Sequence, residues 1–135
     1  MQIRVKHLEK VRFEATARGH RAISDQPPAN GGDDAGFTPP EFLLVSLATC
    51  AGFYAAQYLK NHQLSQEGLE VAVDAEKVPA PARLGKFRID VHVPGLASEH
   101  EAGVLRAVNA CLIKNTLMQP PEIETVLHTE VLAAV

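Results

Sequence analysis

The chain has 135 residues, 46% of them hydrophobic and 21% charged. This composition excludes a disordered chain, and the length fits a single domain over residues 1–135. The formal net charge is -3 and Lys and Arg form no cluster, which argues against a nucleic-acid partner. No apolar run follows a basic start, and two cysteines are too few for a secreted disulfide scaffold, so the sequence predicts a cytoplasmic protein.

The first third of the chain alternates between apolar and polar residues. This pattern predicts strands at residues 2–8 and 11–17 and, after a turn at Arg18-Gly19-His20, a short strand at 21–24. A segment rich in Gly, Pro and Asp then predicts a loop up to residue 37.

The first helix is predicted to begin at the capping box Thr38-Pro39-Pro40-Glu41 and to end near Leu59 or Asn61. It is apolar on nearly every face, so it must be covered all round. Its length is near the lower limit for a bilayer span, but it contains Ser46, Thr49 and Gln57 and has no basic flank at its start. We therefore expect no membrane span but a core helix, covered on one side by a sheet and on the other by a second subunit.

The second half repeats the order of strands followed by a helix. Strands are predicted at residues 67–75 and 83–93, and a second helix starts at a capping box over residues 98–101. Its apolar face would carry Val104, Leu105, Val108, Cys111 and Leu112. After Pro120-Pro121, residues 123–132 predict a last strand. Helices separated by antiparallel hairpins indicate an α+β fold.

The two cysteines lie on the two predicted helices and point inward. Cys50 shares a face with Leu43, Ser46, Leu47, Phe53 and Tyr54, and Cys111 lies on the apolar stripe of the second helix. Buried thiols are often only packing residues. A metal site is not indicated, because there is no C-x-x-C motif and the histidines are scattered singly. A reactive Cys50 would need a nearby cation to lower its pKa, and mid-helix that cation would be an arginine from another segment.

Two stretches of sequence are similar to motifs of the OsmC/Ohr superfamily, and the order of elements fits along nearly the full length. The first runs from Gly31-Gly32 through Phe37-Thr38-Pro39-Pro40-Glu41-Phe42 to Cys50, with Phe42 in place of the family's first leucine. The second is Ala110-Cys111-Leu112-Ile113-Lys114-Asn115-Thr116-Leu117. The chain resembles the OsmC-like branch of the superfamily.

The resemblance implies an intertwined homodimer of β-β-β-α-β-β-α-β subunits, in which antiparallel sheets pack around two central helices. It also implies thiol-dependent reduction of organic hydroperoxides in oxidative-stress defence, with active sites at the subunit interface. Cys50 would attack the peroxide and become a sulfenic acid, and Cys111 would condense with it to a disulfide. An external dithiol, a lipoyl protein or a thioredoxin-like protein, would reduce the disulfide, with no metal or organic cofactor.

By the same resemblance, the activating arginine is Arg18, with Arg21 as the second choice. Both residues can equally be solvated arginines of a turn. The Ohr glutamate that braces this arginine corresponds to Pro40 here, and Glu41 stands one residue later. One residue turns a helical side chain by about 100°, so Glu41 is expected first as a capping residue and only second as a brace.

Four aromatic residues are candidates for an apolar mouth that binds substrate: Phe37, Phe42, Phe53 and Tyr54. Plain core packing explains each of them equally well. A mouth of this kind would favour organic hydroperoxides over hydrogen peroxide. The alternative function is a non-catalytic redox sensor or a protein that binds a small apolar ligand.

Overall fold

The computed structural model describes residues 1–130, and its first three strands form an antiparallel sheet in the order β1-β2-β3. The strands are β1 (Arg4–Glu9), β2 (Arg12–Ala17) and β3 (His20–Ser24). The turn before β3 contains Arg18 and Gly19, both with positive φ. The three predicted strands are confirmed within one to two residues.

The loop between β3 and the first helix is organised around a buried carboxylate. The Asp25 side chain is 1% exposed and accepts hydrogen bonds from the backbone N–H groups of Gln26, Asp33 and Ala35 at 2.8, 3.1 and 3.0 Å. Glycine is required at Gly32, because a Cβ there would overlap with the carbonyl oxygen of Gln26. Asp25 thus fixes the path that brings the chain to the first helix.

Helix α1 (Pro39–Asn61) begins at the predicted capping box. The Thr38 hydroxyl accepts from the Glu41 N–H at 3.4 Å, and the Glu41 carboxylate accepts from the Thr38 N–H at 2.9 Å. A stripe with a spacing of four residues is buried: Leu47, Ala51, Ala55 and Leu59. This stripe faces the core between α1, the second hairpin and the next helix.

The opposite side of α1 is exposed along Val45, Thr49, Phe53 and Gln57, with Val45 and Phe53 38% and 56% exposed, and the positions between the two sides are half-buried. By length and by a mean hydropathy of 1.5 over 18 residues, α1 could also cross a membrane, a property that it shares with core helices of soluble proteins. Strands β1 to β3 contact chiefly one another, so they do not cover this face. The expected all-round cover is therefore not supplied by one chain.

A long hairpin of β4 (Glu70–Val78) and β5 (Arg83–His92) forms the second antiparallel sheet and packs on α1. Both strands were predicted. The predicted second capping box is wrong: Ser98–His100 form a 3-10 turn, and no side chain caps α2 (Glu101–Asn109).

The predicted second helix is interrupted at Ala110 and Cys111, and a third helix, α3, follows at Leu112–Met118. Leu105 and Leu112 do not belong to the buried stripe: they are 58% and 61% exposed, Leu105 within α2 and Leu112 at the start of α3. Val104, Val108 and Cys111 are buried as predicted.

The last predicted strand is wrong over residues 123–130, which form neither helix nor strand. The remainder of that prediction, residues 131–132, lies outside the described residues. The antiparallel α+β fold class is nevertheless confirmed, with three α-helices where two were predicted.

Candidate functional site

The two cysteines, 61 positions apart in sequence, meet where α1 passes the junction between α2 and α3. Both are free thiols, Cys50 half-buried and Cys111 fully buried. The two side chains lie near enough that each shifts the pKa of the other. The expectation that separate helices bring the two sulfurs together is met.

The surroundings of the two thiols push their pKa values in opposite directions. Burial raises the pKa of Cys50, but the hydrogen bond from Cys111 and the nearby backbone N–H groups of Ile113 and Leu112 outweigh it, so the net pKa lies below the ordinary value. Burial and the hydrogen bond to Cys50 raise the pKa of Cys111. Cys50 is therefore the thiol that ionises first, while Cys111 remains protonated and acts as the hydrogen-bond donor to Cys50.

Cys111 holds its position because it is the N-cap of α3. Its sulfur accepts a hydrogen bond from the Lys114 N–H at 3.5 Å, and its own N–H donates to the Val108 carbonyl at 3.1 Å. Ala110 thus ends α2, and Cys111 begins α3. This geometry directs the first free N–H groups of α3 towards Cys50.

The backbone amides of Leu112 and Ile113 are groups that sequence reasoning missed. We expected an arginine to be the only way to lower the pKa of a mid-helix thiol, because Cys50 is far from the N-terminus of its own helix. The amides belong to a different helix, whose start has no sequence signal: residues 104–119 contain neither Gly nor Pro.

The arginine candidates lie on the first sheet. Arg18 is exposed in the turn between β2 and β3, and Arg21 pairs with Glu14 at 2.8 Å. Among the residues that the structure describes, neither is one of the groups that shift the pKa of Cys50. A single chain thus explains the acidity of Cys50 without either arginine.

Glu41 has the capping geometry that was expected first. Its Oε1 accepts from the Thr38 N–H and hydroxyl at 2.9 and 2.8 Å, and these two bonds lower the pKa of Glu41 more than burial raises it. Within the described chain, no ion pair joins Glu41 to an arginine. Its carboxylate therefore caps the start of α1.

The four aromatic candidates form two separate pairs. Phe37 and Phe42 contact edge-to-face with centroids 5.6 Å apart, in a cleft of about 600 Å³ that Ile23 and Glu41 also line. Phe53 and Tyr54 contact edge-to-face at 5.4 Å. They follow Cys50 by one helical turn on the same face, whereas Phe42 lies about 12 Å before it along α1. The second pair is therefore the one beside the thiol.

Over residues 1–130, no group of three His, Cys, Asp or Glu side chains is arranged to hold a metal ion.

Residues 31–126, most of the chain, match the family described as OsmC-like protein. The chain belongs to the OsmC-like family. The matched range contains both cysteines, Glu41 and the four aromatic residues of this OsmC-like protein, but it begins after Arg18 and Arg21. No curated protein matches the chain.

Solved structures show the same fold. A protein from Psychrobacter arcticus 273-4, whose name refers to osmotic stress and detoxification, aligns with a TM-score of 0.78 at 18% identity, over 86% of this chain and 87% of that one. The organic hydroperoxide resistance protein OsmC of Legionella pneumophila aligns at 0.62 and 19% identity, over 87% and 88%. The OsmC-like protein of Mycoplasma pneumoniae gives 0.69 and 20%, over 88% and 87%. At these identities the likeness establishes the OsmC fold alone.

Proposed function

We propose that this OsmC-like protein is a thiol-dependent peroxidase that reduces organic hydroperoxides. The observation that carries the proposal is the contact between Cys50 and Cys111, in which Cys50 has the lowered pKa and Cys111 the raised one. A thiolate is the nucleophilic form of cysteine. The neighbouring protonated thiol, Cys111, is placed to condense with the sulfenic acid that Cys50 would form. The name of the Legionella protein points to the same substrate class.

The chemistry balances with these two residues and a dithiol. The Cys50 thiolate attacks the outer oxygen of the O–O bond, which breaks, so that Cys50 becomes a sulfenic acid and the substrate leaves as an alcohol after taking up a proton. The Cys111 sulfur then attacks the Cys50 sulfur, forming a disulfide and releasing water. An external dithiol, such as a lipoyl or thioredoxin-like protein, reduces the disulfide and is itself oxidised to a disulfide.

We propose further that the working form is a cytoplasmic homodimer. One chain leaves one side of α1 exposed, including Val45 and Phe53, and covering that side with a second copy removes its apolar residues from water. Arg18, exposed on a sheet that makes few contacts with its own helices, would then approach the Cys50 of the other subunit and orient the peroxide. Phe53 and Tyr54 would contact the organic part of the substrate.

A second candidate function is binding of a small apolar ligand without turnover. It is favoured by the cleft of about 600 Å³ beside Phe37 and Phe42, which is about 12 Å along α1 from Cys50. In this case the two cysteines would take no part in the function.

Thiol titration separates the two functions. After one equivalent of cumene hydroperoxide per reduced chain, we expect rapid loss of both thiols and recovery of both with a dithiol. The same amount of hydrogen peroxide is expected to react more slowly, because it offers no apolar group to Phe53 and Tyr54. Retention of both thiols with the organic peroxide would favour the ligand-binding function.

A further inference from the structure

A side-chain hydrogen bond spans the junction between α2 and α3. The Lys114 Nζ donates to the Asn109 Oδ1 at 2.6 Å. Asn109 is the last residue of α2 and Lys114 lies in the first turn of α3, so the bond encloses the two junction residues, Ala110 and Cys111. We refer to this bond as the junction clamp.

Lys114 is attached to the thiol site by its backbone as well. Its N–H donates to the Cys111 sulfur at 3.5 Å, while its ammonium holds Asn109. The two residues before it, Leu112 and Ile113, supply the backbone N–H groups near Cys50. A movement of Lys114 therefore displaces all of these donors together.

Besides the junction clamp, α3 is held by its contact with α1 and by a bond from the Asn115 N–H to the Cys111 carbonyl at 3.0 Å, and it buries little of its own surface. The helix has seven residues, none of them buried, and Leu112 is 61% exposed. An isolated helix of this length is not stable in water. The backbone bonds from the Ala110 N–H to Ala107 and from the Cys111 N–H to Val108 hold the junction to α2, whereas the junction clamp joins α2 to the first turn of α3.

We propose that Asn109 is a positioning residue of the thiol site: its amide oxygen holds Lys114 and thereby keeps Cys111 and the N-terminal amides of α3 against Cys50. Asn109 is exposed and is not itself among the groups that act on Cys50. The proposal rests on the proposed function for the use that is made of the thiolate. The geometry itself is testable without peroxide.

The test is the pH dependence of alkylation of Cys50 by iodoacetamide in the full chain, with mass spectrometry to assign the modified residue. In Asn109→Ala we expect the midpoint to move up by about half a pH unit, which is roughly a threefold fall in rate at neutral pH. Lys114→Met should do the same, because it removes the other half of the clamp. Asn109→Gln keeps an amide acceptor and should restore the original midpoint.

Asn115→Ala is the matched control, because it truncates a neighbouring exposed amide of α3 and leaves the clamp intact. Circular dichroism and the melting temperature check that each variant is folded. An unchanged midpoint in Asn109→Ala would overturn the proposal. So would a shift in Lys114→Met alone, since the charge of Lys114 would then act directly. If the midpoint shifts in Asn109→Ala but the wild-type protein does not react with peroxides, the positioning role is supported and the peroxidase function is contradicted.

Discussion

Replacing Cys50 by serine is expected to lower the consumption of organic hydroperoxide by more than about a thousandfold, to the level of the uncatalysed reaction. A serine hydroxyl is not ionised near neutral pH and cannot form a sulfenic acid. The measurement is peroxide loss in the presence of excess dithiol. Consumption at an undiminished rate would show that the chemistry occurs elsewhere in the chain.

Cys111→Ser tests the second step, the condensation to a disulfide. Serine is a good N-cap residue and its hydroxyl can donate to Cys50, so we expect α3 and the reactivity of Cys50 to be largely preserved. The first turnover should then proceed, but the sulfenic acid has no thiol to condense with and is oxidised further to the sulfinic acid. Cys111→Ala removes the hydrogen-bond donor too, and should also slow the first step. Mass spectrometry after successive additions of peroxide distinguishes these outcomes.

The largest loss of stability is expected for Asp25→Ala. The substitution leaves three backbone N–H groups in the loop without their acceptor. It also removes the carboxylate that lies 3.5 Å from the Arg12 Nε, although Arg12 keeps its pairs with Glu9 and Asp33. We expect the melting temperature to fall on the order of 10 °C. Asp33→Ala is the control: Asp33 also pairs with Arg12, but its side chain is 45% exposed, and a change within about 2 °C is expected.

The pH dependence of stability gives a second measure of the role of Asp25. Burial alone would raise the pKa of Asp25. The three backbone N–H donors and Arg12 together lower it by more than burial raises it, so its pKa in the folded protein lies below the ordinary value. The stabilising contribution of a carboxylate with a depressed pKa is complete above its unfolded pKa, about 3.9, and is lost as the pH falls through the folded pKa. The free energy of unfolding of the wild type, measured in urea, should therefore fall more steeply below about pH 4 than that of Asp25→Asn. Parallel curves would contradict this assignment.

The elements that the sequence predicted well are those with a strong local signal. The capping box at Thr38 and the strand pattern of the two hairpins depend on neighbouring residues only, and the structure confirms the capping box and the paired strands. The capping box predicted at Ser98 is wrong because its residues form a 3-10 turn instead, in which the Ser98 side chain caps nothing. A match to a short motif does not determine which of two turn types the backbone adopts.

At the site, the sequence predicted which cysteines would meet but not what surrounds them. Helical spacing turned both thiols inward, and the contact between Cys50 and Cys111 agrees with this. The break between α2 and α3 has no Gly or Pro to mark it, and the helix that follows contacts α1, a distant part of the chain. For this reason the amides of Leu112 and Ile113 were out of reach of sequence reasoning. The roles of Arg18, Glu41 and the aromatic residues remain predictions.

The pKa of Cys50 tests the central claim most directly. It is obtained from the rate of alkylation of the wild-type chain as a function of pH, with the modified residue assigned by mass spectrometry. We predict that Cys50 is alkylated first, with a midpoint below the ordinary thiol value of about 8.5, and that Cys111 reacts only at higher pH. A midpoint for Cys50 at or above that value, or earlier reaction of Cys111, would contradict the account.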